Sequence, residues 1–469
     1  MIRWAKPKCA IFKMMKLPDT PKAPHWLQKI QYFTDPIGYL ESNRERYGDI
    51  FYTPTSDNYK RLLLVSHPEG LKQLSSEESK AFDAPGQETL RFLLGDNSVI
   101  LLEGDAHQRE RKLLMPCFQQ KRIGAYGQII CAVTEQVFSQ LTPGTTFSAC
   151  SVVGDITLDI NLNLVFGLNE GKSFHKLKQL MSELMNSFTS PLISSVILFP
   201  SLRKDLGAWS PWGYLRRLIQ QINEFLYTEI RNLRVQYNPE RTDILNLLLL
   251  AKDGEGQGMS DRQLRDELLT LTLAGYDSTR NAVCWALYWI HLHPEVREKL
   301  LQELDTLDEF SEPMTIFKLP YLTAVCNESL RICPVAFINV TREVKEPVEL
   351  MGYQLEPGTG VCASIYLTHH REDLYPDSRK FKPERFLERQ YTPYEFIPFG
   401  GGSRRCLGEN LALLEMKLIL ATILSNYQLA LANNQSVKSQ RRNQWVKLER
   451  RGLSTSPSDG LEMVLRGKR

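Results

Sequence analysis

The stretch Phe399-Gly400-Gly401-Gly402-Ser403-Arg404-Arg405-Cys406-Leu407-Gly408 decides how this chain is read. Its consecutive glycines let the backbone approach a flat ligand closely and adopt conformations that a Cβ forbids. Downstream, Leu407, Leu411, Leu414 and Leu418 recur at spacings of four, three and four, so a helix is predicted to start at the cysteine. A cysteine at a helix N-terminus faces unpaired amides and the positive end of the dipole, and Arg404 and Arg405 add charge beside it. Together these favour the thiolate, the form that ligates metal. An arbitrary cysteine is more often a small buried hydrophobe. Here the whole pattern outweighs that reading.

The fixed positions Phe399, Gly402, Arg404, Cys406 and Gly408 resemble the haem-binding signature of the cytochrome P450 family. At residue frequencies of ~5%, five fixed positions match by chance on the order of once in 10⁴ chains of this length. The resemblance makes Cys406 the axial ligand of haem b, with Phe399, Gly400, Arg404 and Gly408 around the cofactor.

Composition sets few other limits. At 469 residues, 42% hydrophobic and 24% charged, the chain is ordinary globular protein with ample length for a core. A formal net charge of +3 gives no support to a nucleic-acid binder. The nine cysteines are scattered without a Cys-x-x-Cys pair, which fits a reducing compartment and excludes a zinc-type spacing. His291 and His293 point to different helix faces, and the pair His369-His370 lacks an accompanying carboxylate motif, so neither reads as a metal site. Residues 1–17 mix apolar and basic types, and the longest apolar run there is far below the ~18 residues of a membrane span. They read as a flexible tail on one domain over 18–469, a cytoplasmic monomer with no transmembrane segment.

Along the chain, helical patterning dominates. After a proline-rich lead-in at 17–24, a helix is predicted over 36–47, a strand pair over 51–66 and a helix from Pro68. Helices follow over 104–141 and 155–237, except at 190–200, which is apolar without a clear period. Ser260-Asp261-Arg262-Gln263 is a capping box. From it a helix runs to His293-Pro294, on the order of 45–50 Å at ~1.5 Å per residue. Residues 348–365 have strand character with turns at Met351-Gly352 and Pro357-Gly358. The fold class is mainly α with a smaller β region.

Other motifs match the resemblance in order. Ala274-Gly275-Tyr276-Asp277-Ser278-Thr279 lies mid-way along the long helix. A serine four residues after Ala274 can bond back to its carbonyl and locally open the helix. The motif resembles the family's oxygen-activation site, with Ser278 where threonine is usual and Thr279 next. Ala274 and Gly275 would leave room beside the iron, and Asp277 would relay protons. Glu328 and Arg331 lie three apart on one helix face; between apolar neighbours such a pair needs a further partner. The family's buried network supplies one, here Arg385, and these three are structural supports. His107 and Arg111, with Arg342 and Arg404, are the propionate contacts that the resemblance implies.

The resemblance further implies the P450 fold, with haem between the long helix and the cysteine-loop helix. It also implies monooxygenation of an apolar substrate with electrons from a separate partner, a ferredoxin (or flavodoxin) and its reductase. Arg109, Lys112, Lys121, Arg122 and Arg405 are its candidate landing patch. Family positions that line the substrate pocket are apolar here: Phe92, Leu93, Ile100, Leu101, Phe188, Leu192, Ile193, Leu273, Val335, Phe337 and Ile338. These suit a long-chain fatty acid, an alkane or a terpenoid. A peroxygenase or isomerase, or a non-catalytic haem sensor, is the alternative. The first commonly lacks the acid and hydroxyl that Asp277 and Ser278 retain. The second would show no turnover when supplied with electrons.

Overall fold

A computed structural model describes residues 18–53, 59, 61–76, 81–83, 90–198, 200–236, 238, 240–308, 311–432, 448–451, 454–457 and 460–469. The tail 1–17, most of the basic segment 438–451 and the Lys121 side chain lie outside the described residues. Contacts group the chain into two compact units.

The larger unit comprises Pro85–Phe337, His369–Gly400 and Arg405–Arg469. Its spine is the helix Asp261–Leu292. Ser260 caps that helix through the expected box: its hydroxyl takes the Gln263 N–H, and the Gln263 side chain takes the Ser260 N–H. The helix ends at His293, and Pro294 opens the next one. The spine packs against Ala149–Phe166, Pro211–Val235, Pro320–Ile332 and Glu409–Asn426. Its C-terminal half buries Trp285 and Tyr288 in one apolar cluster with Leu414 and Leu418. Its N-terminal half places Leu264 and Leu268 in a second cluster with Leu215, Ile222 and Phe225.

Ala149–Phe166 is, among the described residues, the one helix long and apolar enough to cross a membrane; 72% of it is buried. It is a core helix, and the spine lies directly against it. A Cβ on Gly275 would stand 2.7 Å from Asn161 Oδ1, so glycine is what lets the two helices approach. An antiparallel sheet of Thr146–Ser148, Glu462–Lys468 and Tyr427–Leu431 ties the C-terminus into this unit.

The smaller unit comprises the N-terminal stretch ending at Ala84, with Ile338–Thr368 and Gly401–Arg404. Its sheet runs in the order Ile50–Thr53, Arg61–Val65, Thr359–Ala363, Arg342–Val344, Phe82–Asp83. The first two strands form the expected antiparallel pair, with Ile50 opposite Val65. The predicted turn at Met351-Gly352 joins Val348–Leu350 to Tyr353–Leu355, with φ 52° and 79°.

Three local expectations change. A helix at His25–Thr34 follows the proline-rich lead-in without a distinct sequence signal. The segment without clear period holds the helix Pro191–Leu198. The cysteine-loop helix starts at Glu409 with Gly408 as its cap, three residues later than the leucine spacing suggests.

Candidate active site

The cysteine loop is held by its own backbone. Gly400 and Gly402 have φ 71° and 67°, a left-handed region that a side chain would strain. The Cys406 N–H bonds the Phe399 carbonyl at 3.0 Å, closing the loop before the helix begins. The Cys406 residue is exposed, yet enough protein surrounds its sulfur that burial pushes the thiol above its ordinary value. The Gly408 N–H pulls it back, Glu409 pushes it up further, and Arg111 and Arg405 pull it down. Burial outweighs the amide and the cations, and Arg405 is held by its own carboxylate, Glu409, at 2.6 and 2.7 Å.

The helix behind the loop packs against the spine, and both carry solvent-reachable ground where their other faces are buried. Ala274 is exposed at the middle of a helix whose residues Leu268, Leu269 and Val283 are buried. Cys406 is exposed just before a helix that buries Leu414, Leu418 and Leu420. Among the described residues, a Cβ built on Gly408 would find only Phe118, at 4.0 Å. Such space beside a soft sulfur donor fits a planar, metal-centred cofactor.

On the spine, the Ser278 hydroxyl donates to the Ala274 carbonyl at 2.6 Å, the predicted back-bond. Asp277, 28% exposed, pairs with Arg280 at 2.6 Å and accepts from Asn281 Nδ2 at 3.3 Å. Two expectations change here. Thr279 is buried, and its hydroxyl bonds the Glu415 carboxyl on the cysteine-loop helix, so it faces the core and not the exposed turn. Gly275 meets Asn161 and serves helix approach, leaving Ala274 as the residue that opens this face.

His107 and Arg111 share a face of Gly104–Leu114; His107 is buried and Arg111 half-buried. In the smaller unit, buried Arg342 donates to the Val340 and Gly401 carbonyls, both at 3.0 Å, and Arg404 is half-buried. Among the pocket candidates, Leu93, Leu101 and Ile193 are buried in the second cluster, and Phe92, Ile100, Phe188 and Leu273 pack on it. Val335 packs on the first cluster and Phe337 is buried, while Ile338 lies in the smaller unit, bridging Ser364. Leu192 is 66% exposed, which removes it from an enclosed apolar wall.

Fully buried Glu328 and Arg331 meet through two bonds, at 2.7 and 2.8 Å, and Arg385 adds a third contact at 3.2 Å. The network reaches the cysteine loop through a residue that sequence reading passed over. Arg331 Nη1 donates to the His369 carbonyl at 2.8 Å, and His369 Nε2 accepts the Ile397 N–H at 2.9 Å. Burial pushes the His369 imidazole down to about 3, keeping it neutral as that acceptor requires. The adjacency of two histidines carries no such signal, because the partner is a backbone amide 28 residues away.

A cytochrome P450 family profile matches residues 18–455. The chain belongs to the cytochrome P450 family. It is 32% identical to cytochrome P450 135A1 of Mycobacterium tuberculosis over 421 residues, 89% of each chain. It is 31% identical to cytochrome P450 135B1 of Mycobacterium bovis over 418 residues, 89% of this chain and 86% of that one. The solved structure of retinoic acid-bound cyanobacterial CYP120A1 superposes with a TM-score of 0.82 at 25% identity, covering 97% of this chain and all of that one. This P450 therefore has the family fold and is a haem-dependent monooxygenase in general class. Haem b on an axial cysteine thiolate is the family's cofactor. Bacterial members generally take apolar substrates and electrons from a ferredoxin and its reductase.

Proposed function

We propose that Cys406 holds haem b and that this P450 inserts one atom of O2 into a C–H bond of a long apolar substrate. The observation that carries the reading is the Ser278 hydroxyl bonded back to the Ala274 carbonyl, on a helix packed against the one that follows Cys406. Thiolate-bound haem iron supplies the oxygen-activating and electron-accepting chemistry.

The other roles fall to the chain. His107 and Arg111, with Arg342 and Arg404, hold the propionates as cations and donors. Ser278 presents a hydroxyl beside Ala274, and Asp277, released from Arg280, carries protons to it from solvent. Phe92, Ile100, Phe188 and Leu273 form apolar walls that exclude water from the reacting carbon. The family profile over 18–455 runs through both compact units, which supports one functional domain over 18–469, and we read the protein as a cytoplasmic monomer. Exposed Arg109, Lys112, Arg122 and Arg405 form the landing surface for an acidic ferredoxin or flavodoxin.

Among fatty acids, alkanes and terpenoids, an apolar carboxylic acid is favoured. The candidate walls are apolar, and the solved relative has retinoic acid, itself a terpenoid acid, bound. Reduced, haem-loaded protein under carbon monoxide is expected to show the red-shifted Soret band of thiolate ligation, and Cys406→Ala to lose it. Retention of the band in that variant ends the reading. Spin-state titrations with fatty acids, alkanes and sesquiterpenes then separate the substrate classes. Product analysis with a surrogate ferredoxin and reductase separates a monooxygenase from a peroxygenase and from a silent sensor.

A further inference from the structure

Arg203, five residues beyond the helix Pro191–Leu198, is a half-buried cation with no carboxylate beside it. Its Nε donates to the Val196 carbonyl at 3.1 Å and its Nη2 to the Ile197 carbonyl at 2.8 Å. Both carbonyls belong to the last turn of that helix, where no intrahelical partner exists and the dipole is negative. The guanidinium also lies over two rings, 4.8 Å from the centre of Phe92 and 5.3 Å from that of Trp212. The rings themselves meet at 5.1 Å. Carbonyls and ring faces carry only partial negative charge, so they fix the plane of the group without neutralising it.

The nearby acids are committed elsewhere. Asp205, two residues on, pairs with Arg216 at 3.2 Å and Arg217 at 3.9 Å. Glu183, on Gly171–Ser187, accepts the Tyr214 hydroxyl at 2.7 Å. Burial pulls the Arg203 guanidinium below its ordinary value, and no carboxylate pulls it back. The donors left over have a definite shape. Nε and Nη2 form one edge of the guanidinium plane, and the helix carbonyls occupy it. The adjoining edge, Nη1 with the second N–H of Nη2, makes no bond among the described residues. Two parallel N–H groups of this kind match the two oxygens of a carboxylate.

We propose that Arg203 anchors the carboxylate of a long apolar acid through this open edge, with the acid's chain laid along Phe92. Phe92 is a pocket wall in the reading above, so the anchor rests on that reading and narrows it. An alkane or a neutral terpenoid has no group for this edge. Leu202 and Leu206, 49% and 59% exposed, flank Arg203 in sequence and add apolar surface beside it. The head of the acid is held at a half-buried position, so the chain enters tail first and its far end is the part carried inward.

The test is binding of dodecanoic acid, its methyl ester and dodecanol to haem-loaded protein at neutral pH, read by calorimetry and by the haem spin state. Wild type is expected to bind the acid about tenfold tighter than the ester or the alcohol, the scale of a charge-assisted bond. High salt should shrink that preference. Arg203→Gln keeps an amide donor for the helix carbonyls and removes the charge, so it binds all three at the ester's wild-type affinity. Arg203→Lys keeps the charge without the fork and falls between. Equal weakening of acid and ester in Arg203→Gln would show that the residue only caps the helix, and overturns the proposal. A preference for the acid that survives Arg203→Gln overturns it too. Acid binding that depends on Arg203 but leaves the spin state unchanged supports the anchor and sinks the substrate reading. Spin-state changes of equal affinity with all three compounds do the reverse, and binding of none sinks both.

Discussion

At the scale of single residues, two adjacent hydroxyls on the spine face different surroundings. Ser278 bonds the Ala274 carbonyl on the exposed turn, whereas Thr279 is buried against Glu415. Ser278→Ala is therefore expected to lower product formation by about 10²-fold, the scale of a lost proton-transfer group. Reductant consumption and hydrogen peroxide release would continue. Thr279→Val should leave the ratio of product to reductant consumed near wild type, and equal uncoupling in both variants would reverse the assignment. Glu328 is a second case, as the one carboxylate between Arg331 and Arg385 with no exposure of its own. Glu328→Gln leaves two buried guanidiniums facing a neutral amide. It is expected to cost ~3–5 kcal/mol, read as a lower urea midpoint.

At the scale of elements, the structure separates what a local code carries from what only packing decides. The capping box at Ser260, the proline stop at Pro294 and the Met351-Gly352 turn are local codes, and all sit where the sequence places them. The back-bond of Ser278 to Ala274 is local too, a matter of residues four apart. The start of the cysteine-loop helix is not. Leu407 continues the apolar period, but the loop closes through Cys406 to Phe399 first, delaying the helix to Glu409. Asn161 under Gly275 and His369 behind Ile397 are invisible for the same reason, since their partners are far along the chain. Gly275 tests the packing side. Its Cβ position, 2.7 Å from Asn161 Oδ1, makes Gly275→Ala an overpacking change costing ~1–3 kcal/mol. Adding Asn161→Ala should recover part of that loss in thermal melts, because the two sites are in contact and not independent. Strict additivity of the two changes would mean that the helices do not meet there.

At the scale of the whole molecule, the larger unit buries titratable groups whose preferences oppose each other. Burial raises Glu415 to about 8 despite its bond from Thr279, and lowers His369 to about 3. For Glu415 the folded state holds the proton more tightly than the unfolded chain. Its contribution is complete below about 4.5 and is lost as pH rises toward 8. For His369 the folded state holds the proton less tightly. Its contribution is complete above about 6.5 and is lost as pH falls toward 3. Shifts of this size correspond to on the order of 4–5 kcal/mol each at their far limits. Urea unfolding across pH should therefore show an alkaline limb that flattens in Glu415→Gln and an acid limb that flattens in His369→Gln. Each variant should leave the other limb in place. Glu415→Gln in particular is expected to exceed wild type in stability near pH 8 while matching it below 4.5. A variant that shifts the whole curve down uniformly would show that these groups act through packing volume rather than through their protons.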